Sequence, residues 1–377
     1  MQNEVISRVV SLIKKEDLSA QIMCSPENFA YVTGFVVPSQ SLLRHRHCMA
    51  IVTRDAEVHL LGVDMEATTM SDNAPDKPLK IWAEFSDDPM NKLAERLREI
   101  GVNGANIGIE LGYLPASDFS RLTQYLPDTK FVNNEKPIGT LRQIKTNEET
   151  ALLRQLSLIS DQAIFNAFEN VKPGDTEMDL AANVTRGVYE LGGTEFKLLI
   201  VATGERSQLP NVGPTNRKLT RGDVCRVEVF SVIKGYHAGV CRTAVVEKAP
   251  EKASEIWKTL IECKNFLLDN IKPGASCQEL YQSSINILAK SGLAPISFLG
   301  HGIGLFLHEN PYIGNTPKIG SNMDVNLAAG MVLGIEPLCY QTGYGYGMQN
   351  KDMILVTNSG CELLSNYTNT DKLIEIH

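Results

Sequence analysis

The segment Asn170-Val171-Lys172-Pro173-Gly174 returns as Asn270-Ile271-Lys272-Pro273-Gly274, one hundred residues further along the chain. Each copy follows a long stretch with helical spacing and precedes another, residues 178–191 and 278–291, which end at Gly192 and Gly292. Strand-like runs come next, at 197–202 and 224–233 after the first copy and at 331–335 and 353–356 after the second. Lys-Pro-Gly alone is an ordinary helix stop. Its recurrence with the same flanking order of helix, helix and strands points to a duplicated α+β unit, an antiparallel sheet with helices on one face, over residues 145–377.

The first third of the chain has a different pattern. Residues 3–15 and 90–100 carry helical spacing, whereas 20–24, 49–52, 58–61 and 106–110 are short apolar runs rich in strand formers. Helix and strand in alternation predict an α/β domain over residues 1–135. Residues 133–146 are polar, with Pro137 and Gly139, and read as a linker. Thr146 or Asn147 then offers a cap for a long helix whose first turn holds Glu148 and Glu149.

Composition narrows the function. The net charge is −8 and no dense Lys/Arg run occurs, so the electrostatic footprint of nucleic-acid binding is missing. No apolar run reaches about 18 residues, the length that spans a bilayer, and the N-terminal residues lack the apolar core of a signal peptide. The eight cysteines are scattered without a CxxC pair, which suits reduced, buried thiols. A cytoplasmic protein with a small-molecule substrate is expected, with neither membrane nor nucleic-acid partners.

Four segments concentrate polar groups. Gly300-His301-Gly302-Ile303-Gly304 runs on to His308-Glu309-Asn310-Pro311, and flanking glycines let backbone approach the two imidazoles closely. Gly330 to Glu336-Pro337 places a carboxylate at the end of an apolar strand, where burial demands a partner. Arg226-Val227-Glu228 precedes Gly235-Tyr236 and Gly239-Val240-Cys241-Arg242-Thr243, and Gln349-Asn350-Lys351-Asp352 leads into the last strand-like run. His308 is the expected general acid/base, since an unperturbed imidazole titrates near neutrality, with His301 orienting it. Cys241 reads as an inert buried thiol. Tyr344 and Tyr346 are expected at the mouth of the cleft.

Taken together, these motifs resemble the pita-bread superfamily, which contains prolidase, Xaa-Pro aminopeptidase, methionine aminopeptidase and creatinase. The first third is similar as well, through Asn28-Phe29-Ala30-Tyr31 and Thr33-Gly34-Phe35. The resemblance implies a creatinase-type N-terminal α/β domain followed by a duplicated pita-bread C-terminal domain, in a homodimer. It also implies a pair of metal ions held by Asp, Asp, His, Glu and Glu, and here the chain departs. Glu228 stands at the first Asp position, Gly239 at the second, and Lys351 at the bridging Glu; His301 and Glu336 are kept, and an upstream histidine position falls near Asn211.

An ammonium has three donors and no acceptor, so Lys351 cannot ligate a cation while charged. The expectation is therefore a site with no metal and no other cofactor, in which Lys351 replaces the metal charge beside Glu228 and Glu336. Creatinase, the metal-free member, then gives the nearest analogy: hydrolysis of a C–N bond in a small carboxylate-bearing guanidino, ureido or amide compound. His308, His301, Glu336 and Glu228 would be catalytic, with Asn211, Lys351 and Arg242 around the substrate. By the same analogy Arg46, in Arg46-His47-Cys48-Met49-Ala50-Ile51-Val52-Thr53, would reach a substrate carboxylate across the dimer interface. Two alternatives stand beside this reading: an Xaa-Pro peptidase with a reduced one-metal site on Glu228, His301 and Glu336, and an inactive interaction protein.

Overall fold

The computed structural model describes residues 2–294, 296–315 and 325–377. The chain divides into two compact units, Met1–Arg142 and Gln143–His377.

The N-terminal unit is built on one six-stranded sheet in the order Leu79–Trp82, Val58–Val63, Met49–Thr53, Ala20–Met23, Asn106–Ile109, Lys130–Asn133. Its central strands are buried throughout, so their apolar runs continue without alternation. Ser25 caps the Pro26–Thr33 helix by accepting the Asn28 N–H, and Gly34 closes it at a left-handed φ of 84°. The buried Glu110 ties this cap down, accepting the Ser25 N–H at 3.0 Å and the Ser25 hydroxyl at 2.6 Å, and also the Asn28 amide. The expected linker is partly structured: Glu135–Gln143 is a helix. Pro137 lies in its first turn, where an N–H has no intrahelical acceptor and its loss costs nothing.

The C-terminal unit carries the duplication. Two long helices, Asn147–Glu169 and Glu177–Glu190, precede the strands Glu195–Thr203, Val224–Ile233 and Tyr236–Val246; Ala253–Asn270 and Cys277–Lys290 precede the strands of the second half. The repeated glycines take the same conformation, with φ 95° at Gly174 and 85° at Gly274. Their N–H groups donate to Leu219 O and Leu327 O, each at 2.8 Å. Two residues on, Thr176 and Ser276 cap their helices and form matching single bridges to Lys218 and Asn326. Thr146 and Glu149 form the expected capping box.

The second half holds a five-stranded sheet in the order Glu309–Gly314, Phe298–Gly302, Val332–Ile335, Asp352–Val356, Cys361–Leu363. One strand departs from the antiparallel expectation: Ile374–Ile376 pairs parallel with Tyr236–Val246. A parallel partner needs no hairpin, and this one comes from the far end of the chain. The two sheets are stitched where Cys241 and Lys351 exchange N–H···O bonds, 3.1 Å each way. That seam positions the site.

Candidate active site

Glu228 lies in mid-strand opposite Cys241, and His301 lies opposite Gly334 in the other half. Glu336 follows the Val332–Ile335 strand, its N–H donating to Leu299 O at 2.8 Å, and Lys351 sits on the seam itself. Their side chains converge on one point. Lys351 Nζ is 3.2 Å from Glu228 Oε1, 3.3 Å from Glu336 Oε2 and 3.1 Å from His301 Nε2, with the Phe230 ring 4.6 Å away. Three partners match the three hydrogens of an ammonium. Burial works against the charge, but Glu336 and Glu228 outweigh it and hold the Lys351 amine above its ordinary value.

His301 is fully buried. Its Nδ1 lies 2.8 Å from Gly302 O, which requires a proton on Nδ1 and leaves Nε2 to accept from Lys351. Burial, with Lys351 and His308 nearby, drives this imidazole well below its usual value. His308 stacks on it, ring centroids 3.7 Å apart and planes within 11°. Partial burial and the Lys351 charge take His308 down to about 4, so both rings are neutral at physiological pH. The expectation that His308 titrates near neutrality is thereby corrected. Glu336 does so instead: burial, opposed by Lys351 and helped by Glu228, lifts it to about 7. Its Oε2 takes the Lys351 contact and the Gln349 side-chain N–H at 3.1 Å. Its Oε1 is buried with no hydrogen-bond partner among the described residues, facing an unprotonated His301 Nε2 at 3.4 Å.

A cavity of about 600 Å³ opens on this cluster, with Glu228, Glu336, Lys351, His308 and Asn211 on its walls. His301 stands behind them. One expected residue, Arg242, is not on these walls. Arg242 is fully buried, bonded to Asp161 Oδ1 (2.9 Å), Asp352 Oδ1 (2.8 Å) and Lys351 O (2.8 Å); it braces the seam and does not bind substrate, because its donors are spent on buried carboxylates and carbonyls. Arg46 belongs to the N-terminal unit, its guanidinium gripped by Glu84 at 2.8 and 3.0 Å. Tyr344 is exposed and Tyr346 buried away from the cavity, whose wall is formed by Tyr340. Cys241 is buried with its thiol pushed far up, as an inert residue should be. The reading from sequence also missed Phe230 and Arg226, although both alternate with Glu228 along one strand and so share its face.

The ion pair implied by the fold family can be tested against these side chains. A Cβ at Gly239 would lie 2.3 Å from Phe230 Cε1, so an aromatic ring fills the place of the missing carboxylate. Lys351 puts an ammonium between the remaining donors, and among the described residues no group of three or more His, Cys, Asp or Glu is arranged to hold a metal ion. These residues do not fit a pair of divalent cations.

Comparison with known proteins supplies the lineage. Residues 151–358 match the model of metallopeptidase family M24, and residues 6–144 match the Creatinase/Prolidase N-terminal domain. An Xaa-Pro dipeptidase of Pyrococcus horikoshii is 26% identical over 97% of both chains, and one of Pyrococcus furiosus is 30% identical over 77% of this chain and 83% of its own. Among solved structures, the prolidase of Pyrococcus horikoshii superposes with a TM-score of 0.83 at 25% identity, covering 97% of this chain and 99% of that one. A prolidase of Thermococcus sibiricus gives 0.86 at 23%, covering 100% and 99%. These relatives overturn the expectation of a metal-independent, creatinase-like hydrolase of guanidino or ureido compounds: they are dipeptidases and prolidases, and they favour the peptidase alternative. With more than half of its length in the M24 match and a creatinase/prolidase domain before it, this chain belongs to metallopeptidase family M24 and has the pita-bread fold.

Proposed function

We propose that the chain hydrolyses the peptide C–N bond of small peptides of the Xaa-Pro type in the cavity of its C-terminal unit. The observation that carries this reading is the unpartnered Glu336 Oε1, buried at the edge of a cavity lined also by Glu228 and His308. A carboxylate with a pKa near 7 is matched to taking a proton from water and returning it to a leaving amine. Neutral His308 keeps one ring N–H with which to polarise the scissile carbonyl. Glu228 accepts from the substrate's amine. Lys351, its hydrogens already engaged, holds the two carboxylates in place without touching substrate. Phe298, Leu198 and Leu338 offer an apolar wall suited to a pyrrolidine ring.

The test is hydrolysis of Ala-Pro, followed by separation of alanine and proline, with Ala-Ala as the control. Release of proline in preference to Ala-Ala cleavage supports the proposal; an inert wild-type chain removes it. We also infer a homodimer. Leu42, Met65 and Phe85 are 79%, 66% and 95% exposed on two loops and the short 3-10 helix Asp64–Glu66, segments bonded to their neighbours through Arg46–Glu84 and Ser39–Glu66, an apolar end that a second copy would cover. In that dimer Arg46 would serve the partner's substrate carboxylate in exchange for Glu84. Light scattering at twice the monomer mass supports the assembly, and monomer mass removes it.

A further inference from the structure

A second cation, Arg226, lies fully buried behind the cavity wall, and its hydrogen bonds go to uncharged acceptors. Nε donates to Ser207 O at 3.3 Å, and Nη2 to Pro210 O at 3.1 Å and to Leu209 O. Nη1 donates to the Gln349 side-chain oxygen at 3.1 Å. The guanidinium also lies over the Tyr340 ring, 5.0 Å from its centroid. Gln349 passes the contact on, since its amide N–H reaches Glu336 Oε2 at 3.1 Å. Arginine is rarely buried whole without a carboxylate, and a lysine could not span these acceptors, because only a planar fork presents donors in several fixed directions.

The acceptors share a purpose. Ser207, Leu209 and Pro210 lead directly into Asn211 on the cavity wall, Tyr340 forms another part of that wall, and Glu336 carries the free oxygen. The backbone is shaped for the same meeting. At Gly347 a Cβ would lie 2.5 Å from Ser207 O and 2.7 Å from Tyr340 O, while the Gly347 N–H donates to Ser207 Oγ at 2.9 Å. Three chain segments from both halves of the unit are thereby drawn around one guanidinium.

We infer that Arg226 is the positioning residue of this cleft: it fixes the Asn211 loop and the Tyr340 ring directly, and the Glu336 carboxylate through Gln349. Its kinetic consequences rest on the peptide-hydrolase reading, whereas its structural consequences do not. The experiment compares wild type, Arg226→Lys, Arg226→Met and Gln349→Leu by residue-resolved amide hydrogen exchange and by Ala-Pro hydrolysis.

In both Arg226 variants the Gly347 amide and those of residues 204–209 and Asn211 should exchange at least about tenfold faster, with the Asn147–Glu169 helix unchanged. KM for Ala-Pro should rise by roughly tenfold with a smaller change in kcat. Gln349→Leu removes both amide contacts, from Arg226 Nη1 and to Glu336 Oε2, but leaves the Arg226 bonds to Ser207, Leu209 and Pro210; loop exchange should rise less than in the Arg226 variants while kcat falls by roughly tenfold. If Arg226→Met fails to fold, Arg226→Lys, which keeps the charge and loses the fork, carries the test. Unchanged loop exchange in Arg226→Lys, or acceleration spread evenly over the whole unit, overturns the inference. A wild-type chain that cleaves no dipeptide while the exchange pattern holds removes the peptidase proposal and leaves this one standing.

Discussion

Lys351 Nζ lies 3.2 Å from Glu228 Oε1, a contact that joins the two halves of the duplicated unit at their seam. Both groups are almost wholly buried, and Glu336 shares the same ammonium at 3.3 Å. Lys351→Met removes the cation and leaves two buried carboxylates unpaired. Breaking a buried pair in this way costs about 3–5 kcal/mol. Thermal unfolding should show a large fall in Tm; an unchanged Tm would mean that Lys351 does not hold this cluster together.

Gly239 and Phe230 make a second coupled pair. Gly239→Ala drives a methyl into the Phe230 ring and, by the usual cost of overpacking, should destabilise the chain by about 1–3 kcal/mol. Phe230→Leu added to it should recover part of that loss, because the clash is with the ring edge. Denaturant unfolding of the single and double variants measures the coupling, and additive losses would refute it.

The pH dependence follows from Glu336. Its carboxyl rises from 4.5 to about 7 on folding, so the folded chain holds a proton that the unfolded chain releases between those values. Its contribution to stability is present below pH 4.5 and lost as the pH rises through about 7. The basic form needed for catalysis appears over the same window, so kcat/KM for Ala-Pro should climb through an inflection near 7. His308, held at about 4, is neutral throughout and adds no inflection there. A profile flat from pH 5 to about 8 would take the base role from Glu336.

His308 presents its ring to the cavity while stacking on His301. His308→Ala should lower kcat by about a hundredfold, the scale of a single lost polarising group, with Tm nearly unchanged. Full activity in this variant would remove His308 from the mechanism.

The architecture was legible where local chemistry dictates it. Gly174 and Gly274 both need a left-handed φ, and Thr146 with Glu149 spells out a helix start. The Glu135–Gln143 helix was not legible, because proline and glycine read as breakers until Pro137 is placed in a first turn. At the site, Glu228, Glu336, His308 and Lys351 could be named from motif positions. The depressed titration of His308 could not, since it comes from burial in the folded chain and from the charge of a lysine 43 residues away in sequence. In sequence Arg242 suits a brace through buried hydrogen bonds as well as a substrate anchor, and its bonds to Asp161 and Asp352 are those of a brace. Arg226 had a signal in the alternation with Glu228, but its acceptors are backbone carbonyls, which no sequence pattern marks.

The account turns on Glu336 acting on a peptide bond, and the most direct measurement is proline release from Ala-Pro by wild type and by Glu336→Gln under one set of conditions. Glu336→Gln keeps the shape of the side chain and cannot accept the proton. The account predicts turnover by wild type and a loss of at least about a hundredfold in kcat for the variant. Equal rates in the two proteins, or no proline from either, would contradict it.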